Sequence, residues 1–488
     1  MKLRTWQSEC ITKILRQYRN GKSHFLTLAT PGAGKTLMAS VLADELLKNN
    51  LVDLVLCFSP SSIVAQDLAE SMAISIKGKF DGLMGAKGES LTYQSLLHLD
   101  ESFWKLFDTN RILVIFDEIH HCAGSNLENA NAWGEQILLN IQNKAKYTLA
   151  LTGTPWRSDA APIVLSQYSN LDSNISCDYI YGLAEALRDK VCRVPQIIAV
   201  DNNQISLVKG NETLAFQSFS DLLANSNTTY QEVIDNEDVI KYLISSSNKK
   251  LSQIRQVNPN AAGLIVASSI KQAYKISLLV KSWFNEAAVV VTYKENDSSS
   301  IIKKFRNAQT KWIVSVGMIS EGTNIPRLQV CCHLTNIKTE MHFRQILGRI
   351  LRVTKSDDQQ AILYMPAEPK LLEYAYRVKD DIPFEADVVK FETMKSRDEL
   401  NESKSSLPVS FDTLTSKSVD IDFQLDDTFS ELAESLNNLY SETAYEDILH
   451  RKSEHQLSAA YDSRVNIFGR FKLEAIALSL TDLRELNT

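Results

Sequence analysis

Residues 29–36 read A-T-P-G-A-G-K-T, set between an apolar run, SHFLTLAT (23–30), and a segment with helical spacing, TLMASVLADELLKNN (36–50). Few stretches commit a chain so firmly to one architecture: a strand must end, turn within a handful of small residues and start a helix. Backbone N–H groups in such a turn can close around phosphate oxygens, and the helix N-terminus adds its partial positive charge. Pro31, Gly32, Ala33 and Gly34 form the cradle. Lys35 can reach the β- and γ-phosphates of a nucleotide, and the Thr36 hydroxyl can ligate Mg²⁺. The general template opens on glycine, whereas this chain has Ala29.

A unit of this kind needs a sheet around it. DLVLCFSP (53–60), RILVIFD (111–117) and KYTLALTGT (146–154) supply further strands, with SIVAQDLAESM as an intervening helix. Continuous apolar strands alternating with helices predict a parallel sheet covered on both faces. The rhythm weakens over 196–255, where polar turns separate a strand-like VPQIIAVD from a long helical segment. It resumes with AAGLIVASS, AAVVVTY, KWIVSVG, LQVCCHLT and QQAILYMP. At 488 residues the chain exceeds what one hydrophobic core can organise. Two α/β domains are expected, 1–195 and 256–370. A connecting segment, 196–255, lies between them, and a mostly helical C-terminal region, 371–488, follows.

The strand 111–117 runs into R-I-L-V-I-F-D-E-I-H-H-C, five apolar residues followed by two acids and two histidines. A strand that ends in an acid pair brings carboxylates to the sheet edge where the phosphate-binding turn also lies. Asp117 is the expected Mg²⁺ holder, and Glu118 the group that orients or deprotonates an attacking water. Zinc would need three or four ligands, and Cys122 adds no recognisable spacing to His120 and His121. None of the seven cysteines forms a CxxC pair, which fits reduced thiols and a cytoplasmic protein. The N-terminus lacks an apolar signal core, and no run of about 18 apolar residues suggests a membrane span.

DEIH after a phosphate-binding turn resembles motif II of the superfamily 2 helicases and translocases, the DExH group, and further motifs follow in order. LRTWQ (3–7) resembles the segment whose glutamine, here Gln7, recognises adenine. FSPSSIVAQ (58–66) is similar to motif Ia, implying nucleic-acid contacts from Pro60 and Ser61. LTYQSL (91–96) adds Thr92 and Tyr93 to that surface. LTGTPWR (151–157) resembles motif III, with Thr152 and Thr154 as coupling residues beside His120. GLIVASS (263–269) looks like motif IV, with Ser268 toward the nucleic acid. VGMISEGTNIP (316–326) resembles motif V, giving Gly322 to the nucleotide and Thr323 to the strand. QILGRILR (345–352) matches motif VI, with Gln345 toward the nucleotide.

The resemblance covers about residues 1–370 and implies two RecA-like parallel-sheet domains in tandem, with ATP and Mg²⁺ as cofactors. It gives catalytic roles to Lys35, Glu118, Arg349 and Arg352. The two arginines, three apart on one helix face, would meet the γ-phosphate across an interdomain cleft, so hydrolysis would require closure. Two departures stand out. Asn324 replaces the aspartate common in motif V, which keeps hydrogen bonding and loses charge. Motif Ia has no basic residue, leaving phosphate contacts to backbone N–H groups, Ser61 and Ser62.

Formal net charge is −7, but residues 396–488 carry 18 acidic against 9 basic residues, or −9, which leaves +2 for the rest. Nucleic acid is therefore expected on the first 395 residues and a protein partner on the acidic C-terminal region. No E-x-K nuclease core appears in PFEADVVKFETMK (383–395). The expected function is a nucleic-acid-dependent ATPase, a DNA helicase or translocase favouring DNA over RNA. By resemblance alone it would work with a nuclease partner in genome defence or repair. The alternatives are a nucleic-acid-sensing ATPase that signals without unwinding, and an RNA helicase.

Overall fold

The computed structural model describes residues 2–154, 161–168, 175–209, 212–292, 298–317, 323–354, 360–382, 389–393 and 463–467. Its first sheet takes β1 (His24–Ala29), β2 (Leu54–Ser59), β3 (Gly88–Thr92), β4 (Ile112–Asp117) and β5 (Tyr147–Thr152). A short hairpin, β6 (Gln167–Tyr168) and β7 (Ile175–Ser176), precedes the last strand, β8 (Tyr179–Tyr181). The order is β3-β2-β4-β5-β1-β8, with parallel pairing throughout. The central strands β2, β4 and β5 are buried along nearly their whole length because both faces of the sheet are covered there. One face of the core packs Phe58, Val114, Phe116, Ile119 and Ile137 together. The central order β4-β5-β1 matters most for function. It places the C-terminal ends at Asp117, Thr152 and Ala29 side by side.

The second sheet begins earlier in the chain than the sequence suggests. β9 (Val194–Asp201) pairs in parallel with β16 (Gln360–Pro366), from Val194–Gln360 to Val200–Pro366. β10 (Ile205–Lys209) and β11 (Glu212–Phe216) follow, and then β12 (Ala262–Ala267), β13 (Ala288–Val291), β14 (Trp312–Ser315) and β15 (Leu328–Leu334). With β17 (Val389–Thr393) the order is β13-β14-β12-β15-β16-β9-β17. The stretch expected to connect the domains thus supplies a strand to this sheet. It also supplies the helix Glu237–Val257, which packs on β12, β15 and β16. Val239, Ile240, Leu243, Ile244, Leu251 and Ile254 form its apolar face, and the sheet is what buries it.

The chain divides into two compact units, and both sheets belong to the larger, which holds Met1–Val200 and Thr228–Glu392. The smaller shows an antiparallel sheet, β11-β10-β18, completed by β18 (Ser463–Ile467), and the helix Phe219–Asn225. Of the region 371–488, the described part is the remainder of helix Pro369–Asp380, Asp381 and Ile382, β17 and β18. The helical character expected for the rest of it lies outside the described residues.

Candidate active site between the lobes

The phosphate-binding turn leaves β1 through Thr30 and turns at Gly32 and Gly34, whose φ angles are +86° and +96°. Gly34 then caps the helix Lys35–Lys48. Left-handed backbone at both positions explains why glycine recurs there. The turn is braced from the N-terminal helix Thr5–Arg19. The Arg4 guanidinium donates to the Ala33 carbonyl at 2.5 Å, and the Gln7 amide to the Gly34 carbonyl at 2.9 Å. The other end of the Gln7 amide accepts the Arg4 N–H at 2.8 Å, and Gln7 is 1% exposed. Arg4, not Gln7, lines the cleft beside the turn.

Lys35 projects across the turn. Its ammonium donates to the Ala29 carbonyl at 3.0 Å and lies 3.4 Å from a Glu118 carboxylate oxygen. Glu118 sits in the left-handed region at φ +52°, which is uncommon for a side chain of this size. Its second oxygen accepts the Gly153 N–H at 3.1 Å and stands 3.5 Å from His120 Nδ1. Burial and the adjacent Glu118 charge push the Asp117 carboxyl up. At Glu118 burial acts the same way, but Lys35, His120 and the Gly153 N–H outweigh it and hold this carboxyl low. Lys35, His120 and the Gly153 N–H thus favour the ionised form of Glu118. Asp117 and Thr36 line the same cleft, two hard oxygen donors of the kind Mg²⁺ takes.

His120 is 1% exposed and bridges motifs. Its Nδ1 lies 3.0 Å from the Thr152 hydroxyl and 3.5 Å from that of Thr154, and Nε2 is 3.4 Å from the Gln345 amide nitrogen on the other lobe. Among the described residues no His, Cys, Asp and Glu group could hold a metal ion as a cluster.

The opposite wall is the helix Glu340–Ile350 and the residues after it. Gln345, Arg349 and Arg352 face a cavity of about 580 Å³ shared with Lys35, Asp117 and Glu118. Arg349 donates to the Thr323 carbonyl at 3.0 Å, and Arg352 to the Asn324 side-chain oxygen. Both of these acceptors are uncharged. Burial and the charge of Arg349 lower Arg352 to about 9, which leaves it charged at neutral pH. The lobes meet closely here. A Cβ on Gly348 would lie 2.6 Å from the Pro31 Cβ, and one on Gly32 would lie 3.1 Å from Arg352 Cγ. Cys192, on the segment between the lobes, donates its thiol to the Pro31 carbonyl at 3.5 Å.

The residues expected on the nucleic-acid surface divide. Ser61 caps the helix Ser62–Ile76 and, like Pro60 and Thr92, is half-buried. Ser268 is half-buried, with its hydroxyl accepting from Gln231 and donating to Gln272. Thr323 and Tyr93 are buried, at 1% and 0% exposure. Tyr93 turns inward because its hydroxyl finds an acceptor in the Asp117 carbonyl, which closes it to direct strand contact. Gly322 lies outside the described residues. Sequence reasoning missed Arg4, Gly153 and Gly348. All three stood inside recognised motifs, where only their polar neighbours drew attention.

Two family models match in chain order. That of the type III restriction enzyme res subunit covers residues 1–157, and that of the helicase conserved C-terminal domain covers 246–354. An uncharacterized protein of Mycobacterium tuberculosis is 30% identical over 387 residues, 76% of this chain and 62% of its own. The chain thus spans less than two thirds of that relative. A DNA 3'-5' translocase, XPB2, of Sulfurisphaera tokodaii is 24% identical over 74% of this chain and 81% of its own. Among solved structures, a fragment described as an HsdR subunit of a type I restriction enzyme from Vibrio vulnificus has a TM-score of 0.56 at 15% identity. It covers 80% of this chain and 68% of that one. That likeness confirms two tandem RecA-like domains. With both domains matched in order around one cleft, the chain is a superfamily 2 helicase-like protein.

Proposed function

We propose that this chain is an ATP hydrolase of the DExH type that translocates along, or unwinds, DNA. The observation that carries the reading is the division of one cleft between two lobes. Lys35 and Glu118 stand 3.4 Å apart on the first, and Arg349 and Arg352 face them from the second. The turn and Lys35 bind the β- and γ-phosphates, and Arg4 forms the corner for the base, with Gln7 bracing Arg4 and the turn from behind. Thr36 and Asp117 would hold Mg²⁺, which neutralises phosphate charge when bound. Glu118, kept ionised by Lys35 and His120, takes the proton of the attacking water. Arg349 and Arg352 stabilise the charge that spreads onto the γ-phosphoryl oxygens. His120 touches motif III on its own lobe and Gln345 on the other, so the state of the nucleotide reaches the lobe interface.

Strand contact falls to Ser61, Thr92 and neighbouring backbone N–H groups, mostly on phosphates and with little sequence preference. The preference for DNA rests on likeness to a DNA translocase and to restriction enzymes. A nuclease partner in genome defence or repair, met through the acidic C-terminal region, rests on the same likeness. The test is ATPase rate against single-stranded, double-stranded and forked DNA and RNA, followed by strand displacement. Stimulation by DNA with displacement or translocation is expected. Stimulation without either would make the chain a sensor, and an equal rate on every polymer would sink the nucleic-acid role.

A further inference from the structure

Tyr93 carries a role that the strand-binding surface does not explain. Its ring is fully buried and stacked on Trp133, with centroids 5.8 Å apart. Its hydroxyl donates to the Asp117 carbonyl oxygen at 2.8 Å. The pairing of β2 with β4 stops at Phe58–Phe116, one residue before that carbonyl, while β2 still pairs with β3 at Ser59–Thr92. The phenol reaches over from the end of β3 and satisfies an acceptor where the β2–β4 ladder ends.

That carbonyl belongs to the peptide joining Asp117 to Glu118. Glu118 is left-handed at φ +52° and ψ +54°, a conformation that persists only when its surroundings over-determine it. A flip of the preceding peptide plane would change the Glu118 φ, and with it the direction in which the carboxylate leaves the backbone. From the side-chain end, the Gly153 N–H and Lys35 hold Glu118. From the backbone end, the His121 N–H donates to the Glu118 carbonyl at 3.1 Å, and Tyr93 holds the carbonyl of the preceding peptide.

We propose that Tyr93 is a positioning residue whose hydroxyl fixes the 117–118 peptide and so aims the Glu118 carboxylate at the water it activates. The same contact ties the turn that begins at Thr92 to the acid pair. This inference rests on the assignment of Glu118 as the general base.

Tyr93→Phe keeps the ring and its stack and removes only the hydroxyl. ATP affinity and KM should stay within about twofold, while kcat falls about tenfold, the effect of one lost buried hydrogen bond. In single-turnover measurements on a Glu118→Gln background, adding Tyr93→Phe should cause no further loss, because both changes act through the same carboxylate. An unchanged kcat, a weakened ATP affinity, or a tenfold loss repeated in the Glu118→Gln background would overturn the proposal. If the wild-type chain shows no polynucleotide-stimulated hydrolysis, the functional reading fails and this one with it. If the wild type is active and Tyr93→Phe matches it, only this one fails.

Discussion

The two walls of the cleft are wired differently. On the first lobe Lys35, Gly153 and His120 all touch Glu118, so the proposed phosphate and water sites are already tied together by contacts within that lobe. On the second lobe Arg349 and Arg352 spend donors on Thr323 and Asn324 of their own lobe. Preorganised groups bind without reorganising, whereas on the proposed reading the arginines would have to redirect donors to phosphate oxygens. On the proposed function, that difference assigns binding to one wall and turnover to the meeting of both. Substitutions on the two walls should therefore separate affinity from rate.

The largest effects are expected on the first wall. Lys35→Ala should lower both ATP affinity and kcat, the latter on the order of 10³-fold or more. Glu118→Gln should remove turnover to a similar degree while still binding ATP. Fluorescent-nucleotide titration beside steady-state kinetics checks both. Normal turnover in Glu118→Gln would mean that another group activates the water. On the second wall Arg349→Ala should reduce kcat by about 10³-fold with ATP affinity nearly kept. Equal losses in affinity and rate would erase the contrast between the walls.

Gly348 tests the meeting of the walls without touching charge. A methyl group there would lie 2.6 Å from Pro31 Cβ, closer than packed carbons tolerate. Gly348→Ala should hold the lobes apart and cost about ten- to a hundredfold in kcat, with nucleotide affinity retained by the first lobe. An unchanged rate would show that turnover proceeds with the lobes farther apart than they stand here.

Much of this arrangement was legible because it is written in short local patterns. Small residues at 31–34 announce a phosphate turn, and a strand ending at Asp117–Glu118 announces the acid pair opposite it. What stayed hidden depends on distant neighbours. VPQIIAVD looks like an isolated strand between polar turns, and only β16 reveals that it belongs to the second sheet. Tyr93 sits in a stretch that resembles a surface motif, but the free carbonyl that draws it inward is 24 residues away. Gln7 could not be seen to spend both ends of its amide on backbone, since its partner Gly34 lies across the turn. Gly348 sat inside a recognised motif, yet its reason for being glycine lies on the other lobe.

The smallest effect concerns the buried histidines, which repeat the contrast between the lobes. His120 is buried within a hydrogen-bonded set, whereas His333 on β15 is fully buried with neither ring nitrogen hydrogen-bonded among the described residues. Burial, and then the nearby His342, push the His333 ring down from 6.5 to about 3. The folded pKa lies below the unfolded one, so over this interval the unfolded chain binds a proton that the folded chain refuses. The neutral ring is tolerated in full above about pH 6.5, and stability drains away as pH falls toward 3. The slope is about 1.4 kcal/mol, or tenfold in the folding equilibrium, per pH unit below 6.5. Melting temperatures at pH 7.5 and 5.5 read this contribution together with those of His24, also held low by burial, and Asp117, raised to about 6, so the comparison with a His333 variant is what isolates it. His333→Leu should flatten the difference between the two. If it left the acid-side loss unchanged, the proton would enter elsewhere, and the second lobe's core would be no more acid-sensitive than the first's.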